Sequence, residues 1–91
     1  MRPVTKVIVT PIEARLDDAK VTIVEVVGYT RFDGERRYIV SCFLEWEGWR
    51  SQTFHLDVRD GAELERRLKV ELAKMKLAVA AGHTSPFSRA R

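Results

Sequence analysis

The chain as far as residue 58 is rich in β-branched and aromatic residues that alternate with polar ones, a pattern typical of β-strands. Residues 4–10 form a short run between Pro3 and Pro11, so we predict an edge strand there. Further runs follow at residues 21–32, 36–46 and 51–58. Residues 11–20 suit either one helical turn or a second extended piece, and the pattern does not choose between them.

Two short pairs that end in glycine separate these runs and predict β-hairpins. Asp33-Gly34 lies between the two long runs, and Glu47-Gly48 lies between the second long run and the last one. Residues in such turns need positive φ, which Asp and Gly adopt at little cost. A two-residue turn at both places would fix the register of the strands, and it would pair Trp46 with Trp49.

With that register, the predicted sheet has one mixed face and one uniformly apolar face. The mixed face carries Tyr29, Tyr38, Trp46 and Trp49 among Val21, Ile23, Val27, Val40 and Leu44, with polar Glu25, Thr53 and His55 between them. The apolar face carries Val24, Val26, Ile39, Phe43, Phe54, Leu56 and Val58, so we expect it to receive the helix. A one-residue slip in the second hairpin would move Phe54, Leu56 and Val58 to the mixed face and reverse this assignment.

The periodicity changes at Asp60, where a helix of about 21 residues is predicted. Asp60 is a good N-cap, Glu63 follows three residues later as in a capping box, and Gly82 suits the position after the last turn. One apolar stripe comprises Leu64, Leu68, Leu72, Met75 and Val79. A second apolar stripe lies on the other side, and we predict that its residues Val70, Ala73, Leu77 and Ala80 contact another copy of the chain.

These elements predict an α+β domain: an antiparallel sheet of about four strands followed by one long C-terminal helix packed on one face. Residues 1–82 form this single domain. Residues 83–91 contain turn residues and no period, so we predict a mobile basic tail.

Composition and charge narrow the functional classes. The 91 residues carry a net charge of +3, which is compatible with nucleic-acid binding but does not require it. The chain has a single cysteine, Cys42, so it can form no internal disulfide, and we expect a reduced cytoplasmic protein with no membrane span and no bound metal or other cofactor. It has no asparagine and one glutamine, which suggests a thermophilic source.

The pattern of polar residues does not favour an enzyme. His55 and His83 are the only histidines, and neither has a nucleophile or ligand spacing near it in the sequence. A polar residue on a partly solvated strand accounts for His55, and a small core residue accounts for Cys42.

The mixed sheet face instead suggests a binding protein for single-stranded nucleic acid, in which aromatic rings stack on bases and arginines contact phosphates. The predicted stacking residues are Trp46, Trp49, Tyr29 and Tyr38, and the predicted phosphate contacts are Arg31, Arg36 and Arg50. The same aromatic residues would equally suit a protein–protein interface. The alternative function is therefore an assembly subunit that oligomerises through the sheet face and the helix without binding nucleic acid.

The order of these elements resembles the archaeal ThermoDBP-related single-stranded DNA-binding proteins. The resemblance rests on the strands through Tyr38 to Trp46 and Trp49 to Val58 and on the capped helix that follows Asp60. It implies a four-stranded sheet with helix, an apolar cleft edged by basic residues that takes the strand, and oligomers. Transcription-cofactor domains in which a dimerising helix follows a sheet have a similar order. Both resemblances are of arrangement, and neither supplies a signature motif that assigns individual residues.

Overall fold

The computed structural model describes residues 4–90, and the side chains of residues 11–90. In this part of the chain there are six strands and one helix. The strands are β1 (Val4–Leu16), β2 (Ala19–Thr30), β3 (Arg36–Trp46), β4 (Trp49–Arg50), β5 (Phe54–Val58) and β6 (Ser88–Arg89), and the helix is α1 (Gly61–Ala80). The predicted α+β class with a C-terminal helix is confirmed.

All the strand pairs form one antiparallel sheet. Its order is β1-β2-β3-β4-β6, and β5 pairs with the same edge of β3 as β4 does. Because β4 and β5 follow each other along that edge, they act as one interrupted strand. The sheet therefore contains the four predicted strands, the last of them broken, with β6 as an addition.

Residues 11–20, left open by the sequence pattern, extend β1 and form its hairpin with β2. Leu16 pairs with Ala19 across a turn in which Asp17 has a φ of 55°. The register shifts between Ile8 and Ile12, which is where Pro11 interrupts the strand. Proline has no N–H to donate, so an edge position next to an irregularity suits it.

The loop at Asp33-Gly34 is one residue longer than predicted. The Arg31 N–H donates to the Glu35 carbonyl at 2.8 Å, and the Gly34 N–H donates to the Arg31 carbonyl at 2.8 Å. Gly34 has a φ of 91°, so the loop is a three-residue turn that closes on a glycine with positive φ. The predicted two-residue turn at Glu47-Gly48 is confirmed, since Trp46 pairs with Trp49.

Two bulges change which residues share a face. Val24 is an extra residue in β2, because Ile23 pairs with Cys42 while Glu25 pairs with the adjacent Ser41. Between β4 and β5, residues 51–53 lie opposite only Phe43 and Leu44. Each extra residue inverts the alternation of the strand beyond it.

The predicted face assignment is therefore wrong. The structure has the alternative register, in which the second hairpin is shifted by one residue, and the bulge at residues 51–53 produces the shift. Phe54, Leu56 and Val58 pair with Cys42, Val40 and Tyr38, on the same side as Val21 and Leu44. This side is the helix face, which α1 covers with Leu68, Leu72 and Met75. The buried core comprises Leu16, Ala19, Val21, Val40, Cys42, Leu44, Leu56, Val58, Leu68, Leu72 and Met75.

The opposite side of the sheet is the open face, which no described element covers. It presents Thr22, Glu25, Val27 and Tyr29 from β2, Arg37, Ile39, Ser41 and Phe43 from β3, and His55 and Asp57 from β5. Tyr29 thus lies on the opposite face from Tyr38, because the three-residue loop pairs Tyr29 with Arg37 instead of Tyr38, and the bulge at Val24 then places Tyr29 on the opposite face from Val21 and Ile23.

The helix begins and ends where the sequence indicated. The Asp60 carboxylate accepts a hydrogen bond from the Glu63 N–H at 2.9 Å, and the Glu63 carboxylate accepts one from the Arg59 N–H at 2.6 Å. At the other end, Gly82 has a φ of 80° and the His83 N–H donates to the Ala78 carbonyl at 2.8 Å.

The segment after the helix, predicted as a mobile tail, docks on the sheet as far as Ala90. Phe87 is half-buried against the core, and β6 pairs with β4. The Ala90 N–H also donates to the Gly48 carbonyl at 2.8 Å. The tail thereby places Arg89 beside Trp49.

Candidate nucleic-acid interface

The structure does not bring the seven predicted nucleic-acid-binding residues into one site. Trp46 and Trp49 lie together at one end of β3, on the helix face. Arg36 and Tyr38 lie on the same face at the other end of β3. Tyr29 and Arg31 also lie near that second end, Tyr29 on the open face and Arg31 in the adjoining loop. Arg50 lies near the tryptophans, but on the open face.

Trp46 and Trp49 form the tryptophan end of the molecule together with Lys76, Arg89 and Asp18. Both indole rings are half-buried. The Lys76 ammonium lies 5.4 Å from the centre of the Trp46 ring, and the Arg89 guanidinium lies 4.4 Å from the centre of the Trp49 ring. Both distances are within the range of cation–π attraction.

A carboxylate fixes Trp46 and Lys76 in place. The Trp46 indole N–H donates to Asp18 at 3.1 Å, and the Lys76 ammonium donates to the other oxygen of Asp18 at 2.7 Å. These two hydrogen bonds, with the one from Lys76 dominant, lower the pKa of Asp18. The contact joins the helix to the turn between β1 and β2, so Trp46 has a structural role at this end.

Trp49 is held differently. Arg89 covers its ring and has no carboxylate within ion-pair distance among residues 4–90. The sequence predicted Arg89 only as part of a mobile basic tail, because a strand of two residues such as β6 leaves no periodic signal. Arg89 is thus a cation that lies on an aromatic ring, and the N–H groups of its guanidinium remain available to an anion.

Two other arginines from the predicted set also lie over rings. The Arg50 guanidinium is 5.1 Å from the centre of the Phe43 ring and 3.5 Å from the Glu45 carboxylate. The Arg36 guanidinium is 5.7 Å from the centre of the Tyr38 ring. A Cβ on Gly28 would lie 2.5 Å from the Arg36 guanidinium, so the glycine makes room for it.

Tyr29 and Arg31 belong to the arginine cleft, which is lined by Tyr29, Arg31, Phe32, Arg37, Asp57 and Arg67. The Tyr29 hydroxyl donates to Asp57 at 2.5 Å, and Arg37 Nε donates to the other carboxylate oxygen at 2.8 Å. Burial opposes ionisation of Asp57, but the hydrogen bonds from Arg37 and Tyr29 outweigh it and lower its pKa. The hydrogen bond to Asp57 raises the pKa of Tyr29.

The imidazole and the thiol of the sheet have different surroundings. Ser41 Oγ and His55 Nδ1 are 2.7 Å apart, and Ser41 is only 5 % exposed. Burial, with a smaller effect of Glu71, raises the pKa of the Cys42 thiol to about 11, so it is a core group rather than a reactive thiolate. No group of three or more His, Cys, Asp or Glu side chains that could hold a metal occurs among the described residues.

The second apolar stripe of the helix, named here the helix stripe, comprises Val70, Ala73, Leu77 and Ala80. All four residues are exposed in the single chain, with Val70 54 % and Leu77 70 % accessible. The helix therefore has apolar residues on two sides, as its sequence indicated, and only the Leu68–Leu72–Met75 side is covered. No helix in the described residues is long and apolar enough to cross a membrane.

The candidate interface at the tryptophan end thus combines two adjacent rings with cations from the helix, β4 and the tail. Neither a comparison with protein-family models nor comparisons with curated proteins and with solved structures finds a match to this chain.

Proposed function

We propose that this protein binds single-stranded nucleic acid without catalysing a reaction, and that the tryptophan end is its binding surface. The observation that carries the proposal is the pairing of Trp46 with Trp49, each with a cation from another element over its ring. The wider pattern supports it. The side chains of residues 11–90 make four cation–aromatic contacts, whereas about one is expected in a chain of this length.

This surface suits bases and phosphates for separate physical reasons. A base can stack on the Trp49 ring or on the guanidinium plane of Arg89, since both present flat π surfaces. Such stacking contributes about 1–3 kcal/mol per base and tolerates any sequence. Arg89 and Lys76 supply positive charge to the neighbouring phosphates, and Arg50 adds charge from the opposite face of β4. Trp46 is bound to Asp18, so we assign the main stacking role to Trp49.

The two tryptophans are the only ones in the chain, so intrinsic fluorescence reports on this surface directly. We expect an oligothymidylate of about 15 nucleotides, a length within typical single-strand site sizes, to quench the emission at low salt. The two cations beside the rings predict a slope of about −1.4 for log K against log salt. Unchanged emission at low salt and high oligonucleotide concentration would sink the proposal.

Substitutions locate the surface, with anisotropy of a labelled oligonucleotide as the readout. Trp49→Ala should weaken binding about tenfold or more, and Trp49→Phe should retain part of the affinity because it keeps a ring. Arg89→Ala should weaken binding and reduce the salt slope by about 0.7. Arg66→Ala is the matched control, since Arg66 is an exposed helix residue outside the surface. Equal losses in Arg89→Ala and Arg66→Ala would indicate nonspecific charge instead.

The helix stripe favours a second function, that of an assembly subunit that forms homo-oligomers. Exposed Val70 and Leu77 lie on the same side of α1, and Ala73 between them permits close approach of a second helix. Leu77→Glu should dissociate the oligomer, as measured by light scattering, while the thermal midpoint of the dissociated chain remains close to that of the parent. A stable oligomer that binds no oligonucleotide and whose size does not change with salt would favour this function over the first.

The cellular setting is part of the same proposal. A lone buried Cys42 suits a reducing compartment, so we place the protein in the cytoplasm. The lack of asparagine suits an archaeal or other thermophilic source. A thermal midpoint below about 65 °C, the upper range for mesophile domains, would contradict the thermophilic source.

A further inference from the structure

The arginine cleft is a second concave site, at the end of β3 that is remote from the tryptophans. It encloses about 490 Å³ between the end of the sheet, the loop after β2 and the first turns of α1. Three guanidinium groups and two aromatic rings line it, and one carboxylate, Asp57, lies among them. Neither the proposed stacking surface nor the core uses this combination.

One wall of the cleft is fixed by hydrogen bonds around Asp57. Tyr29 and Arg37 bind its carboxylate, and Arg37 also lies 3.4 Å from Glu35 and 3.7 Å from Glu63. The charge of Asp57 is therefore offset by Arg37, and neither group is free for a ligand. This wall positions the Tyr29 ring, and three carboxylates around Arg37 leave it net negative, so positive charge for a ligand has to come from Arg31 and Arg67.

The other guanidinium groups retain donors. Arg67 donates one hydrogen bond, at 2.7 Å, to the backbone carbonyl of Asp57, and it has no carboxylate within ion-pair distance in the described part of the chain. Arg31 pairs with Glu35 at 3.2 Å and Asp33 at 3.7 Å, and its side chain is 43 % exposed. Such surface pairs contribute little and rearrange easily. Arg31 and Arg67 are thus two cations that can turn towards one anion.

Phe32 completes the site. It is 88 % exposed at the tip of the loop, the most accessible of the large apolar side chains in the described residues. An aromatic ring in water next to two arginines suits a ligand that has both a flat ring and an anionic group.

We propose that the arginine cleft binds a nucleoside monophosphate group, with the base against Phe32 and the phosphate monoester between Arg31 and Arg67. Guanidinium groups match the oxygens of a phosphate in geometry and charge, and a monoester carries more charge than the diester of a strand interior. The site is separate from the tryptophan end, so this inference does not depend on the proposed function.

Calorimetric titration of the full chain with three probes tests the proposal: deoxyadenosine monophosphate, inorganic phosphate and deoxyadenosine. The nucleotide should bind roughly tenfold more tightly than inorganic phosphate, because only it also stacks, and the uncharged nucleoside should bind most weakly. Tryptophan emission should stay unchanged, since both tryptophans lie at the other end of β3. Emission quenching by the nucleotide would place it at the tryptophan end and overturn the assignment.

Variants separate the two parts of the site. Arg67→Ala should weaken the binding of both the nucleotide and inorganic phosphate, whereas Phe32→Ala should weaken the binding of the nucleotide alone. Arg66→Ala, one position away on the exposed helix surface, is the matched control and should change neither. Equal affinity for nucleotide and inorganic phosphate would overturn the base contact. Binding that survives Arg67→Ala combined with Arg31→Ala would overturn the site.

Discussion

The two ends of β3 contain the same kinds of residue but use them differently. At the tryptophan end, Lys76 and Arg89 lie over aromatic rings. In the arginine cleft, Arg37 is bound by carboxylates, and Arg31 and Arg67 line the same cleft as the Tyr29 and Phe32 rings. Composition alone would rate both ends as equally basic and aromatic. The contacts show which groups hold the fold together and which remain available.

Within each end, one aromatic residue is fixed by a side-chain hydrogen bond and one is not. Trp46 and Trp49 both pack against the core, but only Trp46 has such a bond, to Asp18, and Tyr29 has one to Asp57. Trp49 and Phe32 have no side-chain hydrogen bond to fix them, and Phe32 is almost fully exposed. The comparison therefore predicts that substitutions of Trp46 and Tyr29 act mainly on stability, whereas those of Trp49 and Phe32 act mainly on binding.

The largest expected effect on the free energy of unfolding is that of Trp46→Ala, and a small effect would contradict the contrast between structural and binding aromatic residues. Loss of a half-buried indole and its contacts should cost about 2–3 kcal/mol of unfolding free energy, measured by urea denaturation. Phe32→Ala, the matched removal of an exposed ring, should change it by less than about 0.5 kcal/mol. Similar values for the two variants would contradict the structural role of Trp46.

Next in size is the effect of Asp57→Asn, which removes the charge that binds Arg37 and Tyr29. We expect a loss of about 1 kcal/mol at pH 7, since the carboxylate is partly exposed. The folded-state pKa of Asp57 is lowered, so its contribution is present above the unfolded pKa of about 3.9 and is lost as pH falls through the folded value.

The pH dependence supplies the control for that prediction. The difference in stability between the parent and Asp57→Asn should shrink steadily as the pH falls below about 4. Tyr29→Phe, which keeps the charge and loses one hydrogen bond, should retain most of this pH dependence. A difference that stays constant down to pH 2 would show that Asp57 has an ordinary pKa in the folded protein.

A smaller effect is expected at Asp18, where the groups are exposed. Protonation of Asp18 should release Trp46 and Lys76, so tryptophan emission should change as the pH falls below the ordinary carboxyl value of about 3.9. Asp18→Asn should abolish that change, and its emission at pH 7 should already resemble that of the parent at low pH, because the amide carries no charge to hold Lys76. A transition at the same pH in both proteins would have to come from another group.

The smallest effect on stability is expected for Arg89→Ala, because Arg89 lies on the Trp49 ring without an ion pair, whereas Arg37 is bound by carboxylates. Its free energy of unfolding should change by less than about 0.5 kcal/mol, whereas the Trp49 ring should become more accessible to acrylamide quenching. Lys69→Ala, at an exposed helix pair with Glu65, should leave quenching unchanged. A large loss of stability in Arg89→Ala would make the tail a structural element rather than a cover for the ring.

The sequence was sufficient for the helix and the strands of residues 21–58, and insufficient for residues 11–20, β6 and the faces. Asp60, Glu63 and Gly82 marked both ends of the helix, and alternation located the long strands. The faces depended instead on the three-residue loop after β2 and on the bulges at Val24 and residues 51–53, which no local pattern reveals.

The candidate sites followed the same division. Trp46 and Trp49 could be paired from their turn, and the exposed helix stripe from its period. Tyr29 was grouped with Tyr38 because a two-residue turn was assumed at Asp33-Gly34, where the loop has three residues. Arg89 and Phe87 were missed because docking of a two-residue strand depends on long-range contacts and on no periodic signal.

The bulge at residues 51–53 has a consequence for reading related sequences. A relative that lacks one residue between Arg50 and Phe54 would present His55 and Asp57 to its helix and Leu56 to solvent, even with every other residue identical. Such a deletion should be found only together with an exchange of polar and apolar residues along β5. In an alignment, a gap misplaced by one position between Arg50 and Phe54 would therefore match the helix-facing residues of β5 with the solvent-facing residues of the relative.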